Sequence, residues 1–263
     1  MVDTPSISRR RALAALGVAA AGTGGYVAGV RSADDAPDWL AGRDCAPSPL
    51  VTSPTDWPFP RHDRANTGHA PARAGPDWPL DRAWEREWPV GDLYGLRPLV
   101  VADGVAVALL EADPESALLA FSLVDGRVRW RRPIENAGYG GVCAASGTAF
   151  VEGAVPDSAT RFAARSLGDG STLWTGSVSS HLPRTLAGGR LIAVERSPDR
   201  SRDNAHFAAT AYDARTGVEC WRAVHDGRPG DVAVADGLLV LPTHDRGVLA
   251  VDPASGDRQW RSE

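Results

Sequence analysis

The chain has no lysine: across its 263 residues the 28 basic side chains are all arginine, against 33 Asp and Glu, for a formal net charge of −5. An acidic balance excludes the net basic face that nucleic-acid binding uses, so no nucleic-acid partner is expected. Cysteine is scarce. Cys45, Cys143 and Cys220 give no paired framework and no C-x-x-C or C-x-x-H spacing, which excludes a disulfide scaffold and a zinc finger. Cys45 follows Gly42-Arg43-Asp44, not the small apolar residues of a lipobox, so no lipid is expected there. Cys143 and Cys220 lie in apolar, strand-like stretches and read as small buried hydrophobes, not as disulfide partners. No long hydrophobic stretch occurs beyond the N-terminus, which excludes a polytopic helical membrane protein. No histidine pair has H-x-x-x-H or H-E-x-x-H spacing, and no acidic set has a calcium-loop spacing, so no metal is expected. The acidic stretch Asp199 to Asp203 reads as a solvated loop.

What is present is a globular composition, with 43% hydrophobic and 23% charged residues. Twenty-four of the acidic residues are Asp, and this Lys-free, Asp-rich balance resembles proteins of high-salt hosts such as halophilic archaea. Gly 28 and Pro 20 predict many short strands and turns. Aromatics are only 7%, yet nine residues are Trp, so Trp has a repetitive use.

The N-terminus reads as an address. Ser8-Arg9-Arg10-Arg11-Ala12-Leu13 resembles a twin-arginine export motif. The weakly apolar stretch 12–30 holds 7 Ala and 5 Gly and would reach roughly 28 Å as a helix, marginal for a bilayer span. Residues 1–30 are therefore expected to be a Tat-type signal, cleaved after Val27-Ala28-Gly29, or else an N-terminal anchor and the sole membrane contact. Cleavage would take the charge to −7, because three Arg and Asp3 leave with it. Residues 31–56 read as a linker, rich in Ser, Asp, Ala and Pro, and 57–96 as a lead-in segment with an outer strand.

Residues 97–263 are repetitive. The pattern A-x-[SD]-x-x-x-G-x-x-x-W occurs four times: Ala120, Ser122, Gly126, Trp130; Ala164, Ser166, Gly170, Trp174; Ala211, Asp213, Gly217, Trp221; and Ala250, Asp252, Gly256, Trp260. Successive Trp residues are 44, 47 and 39 apart. A second column runs in phase upstream: Ala102-Asp103-Gly104, Ala145-Ser146-Gly147, Ala187-Gly188-Gly189 and Ala235-Asp236-Gly237. Each small-x-Gly turn precedes an apolar run such as Val105-Ala106-Val107-Ala108-Leu109, which suits a strand buried on both faces. The Ser or Asp can accept backbone hydrogen bonds in the next turn, and Gly allows positive φ there. The last strand of each unit carries Trp outward, where it can cover a neighbouring unit, and the small Ala leaves room for the ring. Units of about 42 residues with four strands are β-propeller blades, so the fold class is all-β.

At these residues the sequence resembles the pyrroloquinoline-quinone (PQQ) type propeller repeat, in which the Trp docks against the adjacent blade. The stretch Asp56-Trp57-Pro58-Phe59-Pro60-Arg61-His62-Asp63-Arg64-Ala65-Asn66-Thr67-Gly68 resembles the lead-in of exported members of that family. Copies one and two carry Ser122 and Ser166 in place of Asp, so their turns are expected to be looser. The resemblance implies seven or eight blades, or roughly 300–340 residues at about 42 each, whereas four are recognisable. Trp84 and Trp88 form an orphan strand, with Trp88 at the outer-strand position 42 residues before Trp130. An incomplete ring is expected: a truncated or split reading frame, or a ring completed by a partner chain.

Two functions follow from the resemblance. The first is an exported, non-enzymatic binding or scaffold module, similar to BamB-like outer-membrane assembly scaffolds, with a protein or carbohydrate ligand on a propeller face and no cofactor. The alternative is a PQQ-dependent quinoprotein dehydrogenase, or a remnant of one, with PQQ and Ca²⁺. Such enzymes often carry a disulfide between adjacent cysteines, which this chain lacks. No catalytic, cofactor-binding or metal residue is assigned, and the docking motif is the structural site. His62-Asp63 reads as loop capping rather than a catalytic pair. Gly138-Tyr139-Gly140-Gly141 lacks the Lys and helix of a phosphate loop and reads as an inter-blade turn. Arg127, Arg129, Arg131 and Arg132 around Trp130 read as an exposed outer strand, and Trp39, Trp57 and Trp78 as packing anchors.

Overall fold

The computed structural model describes residues 45–70, 79, 81–87, 92–96, 99–113, 115–134, 141–152, 162–176, 184–196, 205–244 and 246–262. The export motif, residues 31–44, Trp39, Trp78, Trp88, Gly138 to Gly140, His181 and the loop Asp199 to Asp203 lie outside them.

Four antiparallel sheets follow one another as blades. In blade 1, β1 (Asp92–Leu96) and β2 (Val100–Ala102) both pair with the long β3 (Val105–Asp113), which continues to β4 (Ala117–Ser122) and β5 (Val128–Pro133). Blade 2 runs β6 (Val142–Ala145), β7 (Thr148–Glu152), β8 (Phe162–Ser166), β9 (Thr172–Gly176). Blade 3 runs β10 (Arg184–Ala187), β11 (Arg190–Arg196), β12 (His206–Asp213), β13 (Glu219–Asp226). Blade 4 runs β14 (Ala233–Ala235), β15 (Leu238–Thr243), β16 (Gly247–Val251), β17 (Arg258–Ser262). The first blade thus begins at Asp92, inside the segment read as a lead-in.

The upstream column of small-x-Gly triplets makes the hairpin between the two innermost strands of every blade. Both central residues have positive φ: Asp103 53° and Gly104 72°, Ser146 48° and Gly147 73°, Gly188 54° and Gly189 78°, Asp236 49° and Gly237 78°. Such two-residue turns match the right-handed twist of the strands they join, and Asp, Ser or Gly followed by Gly tolerates the geometry.

The outer hairpin is equally regular. Motif Ala faces motif Trp in every blade: Ala120–Trp130, Ala164–Trp174, Ala211–Trp221 and Ala250–Trp260. One residue further the register shifts, which leaves Arg129, Leu173, Cys220 and Gln259 as the extra residues of four equivalent β-bulges. The Ser turns are as tightly closed as the Asp turns. Gly126 N and Gly170 N donate to Ser122 O and Ser166 O at 2.9 Å; Gly217 N and Gly256 N donate to Asp213 O and Asp252 O at 2.8 Å. The expected looseness fails because this closure is made by main-chain atoms, with the side chain adding only a secondary bond.

Burial is organised between blades. Val105, Val107, Leu109, Leu118 and Trp130 of blade 1 pack with Ala144, Ala149 and Val151 of blade 2. Phe150 and Phe162 of blade 2 pack with Leu191 and Tyr212 of blade 3, and Ile192 and Phe207 of blade 3 with Leu239 and Leu241 of blade 4. Tyr212 has its hydroxyl pKa raised, first by burial and then by nearby Glu219 and Glu195. His225 in β13 is pushed down to about 4, chiefly by burial, with Arg261 and Arg258 adding to it.

The reading of the cysteines needs correction. Cys45 and Cys220 form a disulfide with a Cα–Cα distance of 5.2 Å, while Cys143 is buried in β6 and keeps its thiol. Cys220 is the bulge residue of β13, so it escapes the strict alternation of the strand and reaches out of the sheet. Its partner lies in the segment read as a linker, which from Cys45 onward is fastened to the blades.

Candidate functional site

Two features stand out above the general architecture: a repeated docking seam between blades, and a strap across their inner edges.

The seam is built from the repeat itself. Trp130 Nε1 donates to Leu167 O at 2.9 Å, Trp174 Nε1 to Ala214 O at 3.0 Å, and Trp221 Nε1 to Pro253 O at 3.0 Å. Each acceptor directly follows the motif Ser or Asp of the next blade. The indole then lies flat on the motif Gly. A Cβ added to Gly170 would stand 2.6 Å from Trp130 Cδ2, one on Gly217 2.6 Å from Trp174 Cδ2, and one on Gly256 2.7 Å from Trp221 Cε3. Gly is required twice over, because the same residues hold φ of 73°, 73° and 85°. Asp213 Oδ1 accepts Arg215 N and Thr216 N, and Asp252 Oδ1 accepts Ala254 N, which fixes the loop presenting each carbonyl. Asp169, beside the second turn, is held at about 2 by hydrogen bonds from the Ser171 amide and hydroxyl.

A fourth seam begins outside the repeat. Trp84 Nε1 donates to Leu123 O at 2.8 Å, and a Cβ on Gly126 would lie 2.5 Å from Trp84 Cε3. Arg86 Nε donates to Asp125 O at 3.0 Å, just as Arg132, two residues after Trp130, donates to Asp169 O and Gly170 O. Residues 81–87 thus stand where the outer strand of a preceding blade would stand, yet they belong to no sheet. The sequence pointed to Trp88 for this position, but the seam uses Trp84. Both spacings fit the repeat, and the Arg two residues after Trp, shared by Trp84 and Trp130, was the signal that separates them.

At the far end the seam is open. Trp260 is 45% exposed, against 5% for Trp130. Leu238, Val240 and Val248 beside it are only half-buried, whereas their blade 1 counterparts Val105, Val107 and Leu118 are at most 2% exposed.

The strap is residues 45–66. From the disulfide it passes Gly189 with Ser48 and reaches the blade 2 turn, where Val51 N donates to Ser146 Oγ at 2.7 Å. Asp56, 5% exposed, accepts Ser53 N on Oδ2 and Asp103 N on Oδ1, tying it to the blade 1 turn. Trp57 then pairs with Val101 of β2, Pro58 O accepts Ala144 N of β6, and Arg64 O accepts Val234 N of β14. Asn66 Nδ2 adds a bond to Val232 O. The inner strand edges of blades 1, 2 and 4, which in a propeller line the axis, are therefore hydrogen-bonded by one segment. A cavity of about 440 Å³ lies beneath the strap, lined among others by Leu50, Asp56, His62, Asp63 and Leu186.

His62 and Asp63 do not form a catalytic dyad. Nδ1 of His62 is 3.8 Å from Asp63 Oδ2, beyond hydrogen-bond reach. Asp63 instead accepts Thr67 N at 3.0 Å and Thr67 Oγ1 at 2.5 Å. Burial raises its pKa, but these bonds outweigh that and hold the carboxyl below the usual range. The pair caps a loop.

The axis-facing edges of blades 1, 2 and 4 are taken by the strap, the Asp56 carboxylate is used by two backbone amides, and the disulfide joins residues 175 apart, not neighbours. Among the described residues no three His, Cys, Asp or Glu converge on a metal position, and no helix is long and apolar enough to cross a membrane.

No curated protein sequence matches the chain. Among solved structures it is similar to a quinohemoprotein alcohol dehydrogenase of Pseudomonas putida HK5, at 17% identity and TM-score 0.53 over 80% of this chain and 40% of that one. The corresponding enzyme of Comamonas testosteroni gives 16% and 0.53 over 88% and 43%. BamB of Moraxella catarrhalis gives 17% and 0.48 over 69% and 52%. The chain spans about half the length of these proteins or less, and its likeness to the two dehydrogenases is one of fold. Residues 168–263 match the family model described as outer membrane protein assembly factor BamB, and the chain, with its four described blades, has the β-propeller fold.

Proposed function

We propose that this protein is an exported, non-enzymatic binding or scaffold module, and that its partner is a protein. The observation that carries this reading is the strap: it occupies the inner edges of blades 1, 2 and 4, which a central cofactor would need. The family matched over residues 168–263 is named for assembly, which favours a protein over a carbohydrate partner and over the dehydrogenase alternative. The decisive experiment is equilibrium dialysis of the folded chain against PQQ and Ca²⁺, followed by a dye-linked alcohol oxidation assay. No retained quinone and no dye reduction are expected; stoichiometric retention with activity overturns the reading.

Export rests on the N-terminal Arg9-Arg10 pair and its weakly apolar sequel. The Cys45–Cys220 disulfide supports it, since such bonds persist mainly in oxidising compartments. Replacing Arg9 and Arg10 by Lys is expected to leave the chain inside a Tat-competent host. Unchanged secretion of that variant would rule out the twin-arginine route.

A further inference from the structure

In each blade one residue of the innermost strand turns its amide and carbonyl away from the sheet, toward the axis. These are Val101, Ala144, Leu186 and Val234, which stand at the same register, opposite Ala106, Ala149, Leu191 and Leu239. The strap bonds three of them. Trp57 and Val101 exchange two bonds at 2.8 Å, Pro58 O accepts Ala144 N at 2.9 Å, and Arg64 O accepts Val234 N at 2.8 Å. Leu186 receives no such bond from any described residue, although it is only 5% exposed. Between Pro58 and Arg64 the strap instead makes the turn Phe59–His62, closed by His62 N on Phe59 O at 3.0 Å, with His62 at φ 72°. The cavity of about 440 Å³ lies here, lined by Leu186 and Ala187 of blade 3 and by Phe59 and His62 of the turn. Nδ1 of His62 is buried and has no hydrogen-bond partner among the described residues.

We propose that this cavity binds an extended peptide segment of a protein partner, which pairs with Leu186 as Trp57 pairs with Val101. This rests on the reading of the protein as a module for a protein partner, and names the part of that partner it takes. The occupant's chemistry follows from what is unpaired. Leu186 presents one N–H and one C=O on a strand edge, and a peptide backbone supplies the complement of both. Leu50, Phe59 and Leu186 give the lining an apolar side for an aliphatic side chain of the segment, and His62 Nδ1 is left to bond a second polar group. Asp56 and Asp63 against the one Arg64 give the lining a net negative formal charge, which disfavours a terminal carboxylate. The volume suits a ligand of about three residues, within the range of pockets that enclose small ligands.

The test is an amide NMR titration of the isotope-labelled full chain, with its disulfide intact, using acetyl-alanyl-leucyl-alanine methylamide as the probe. Saturable shifts are expected at the amides of Leu186 and His62. An analogue with an ester oxygen in place of the leucyl N–H cannot donate to Leu186 O, and should bind about five- to tenfold more weakly, the loss of one backbone hydrogen bond. The same tripeptide with a free carboxylate should also bind more weakly. Ala70→Phe should abolish the shifts, because Ala70 lines the cavity at a half-buried position outside every strand and its enlargement spares the strap's bonds. No shift at Leu186 up to roughly 10 mM probe would mean that the cavity holds solvent alone, and overturns the proposal. So does equal binding of amide and ester, or binding that survives Ala70→Phe. None of these outcomes bears on quinone retention, which tests the functional reading separately: an overturned site with no quinone retained leaves the protein partner to another surface.

Discussion

Trp130→Ala is expected to destabilise the protein by about 3–5 kcal/mol, the cost of removing a large buried ring from a packed site. The indole is 5% exposed, fills the cluster between blades 1 and 2, and satisfies the carbonyl of buried Leu167. Truncation leaves a cavity and an unpaired acceptor together, and at this chain length should lower Tm by roughly 6–20 °C. Trp260→Ala makes the contrast. It removes the same residue type from the same motif position, but from an open seam, and should stay within about 0.5 kcal/mol. Urea unfolding of both variants reads the difference. Equal losses would show that the ring acts inside its own blade, opposite the motif Ala, and not across the seam. Because stability in stacked repeats is a sum of unit and neighbour terms, Trp130→Ala should also broaden the transition as blade 1 unfolds ahead of the rest.

The blades were legible because their determinants are side chains with few substitutes. Positive φ at Gly104 or Gly170 restricts the residue type, and a ring lying on Gly170 forbids any side chain there, so both columns surface in the sequence. The strap was illegible for the opposite reason. Its bonds to β2, β6 and β14 are made by the main-chain atoms of Trp57, Pro58 and Arg64, which any residue could supply. Its Pro- and Ser-rich composition is that of a linker, and composition does not distinguish a tethered extended segment from a free one. The disulfide was hidden by a bulge. Alternation assigns Cys220 an ordinary strand position, and only the register slip beside Ala211 turns it toward Cys45. Trp84 and Trp88 are separated by four residues, and the repeat spacing varies by more than that, so distance along the chain could not choose between them.

Replacing Cys45 and Cys220 by Ser together is expected to cost about 2–5 kcal/mol, because the bond closes a loop of 175 residues in the unfolded chain. The double substitution avoids leaving a reactive thiol beside the seam. The loss is not confined to chain entropy. The bond fixes the strap to blade 3, and the next anchors are the bonds of Val51 to Ser146 and of Asp56 to Asp103. Hydrogen exchange should therefore quicken first at the amides of Val51 and Trp57, while the inner strands of the blades keep more of their protection. Reduction of the wild type with dithiothreitol should reproduce both effects. A double-Ser variant within about 0.5 kcal/mol of the wild type, with unchanged exchange at Val51, would show that the strap is held by its hydrogen bonds alone. The strap would then be a fixed part of the fold. With the expected result, its position along the inner edges depends on the redox state of one bond, which an oxidising compartment would keep closed.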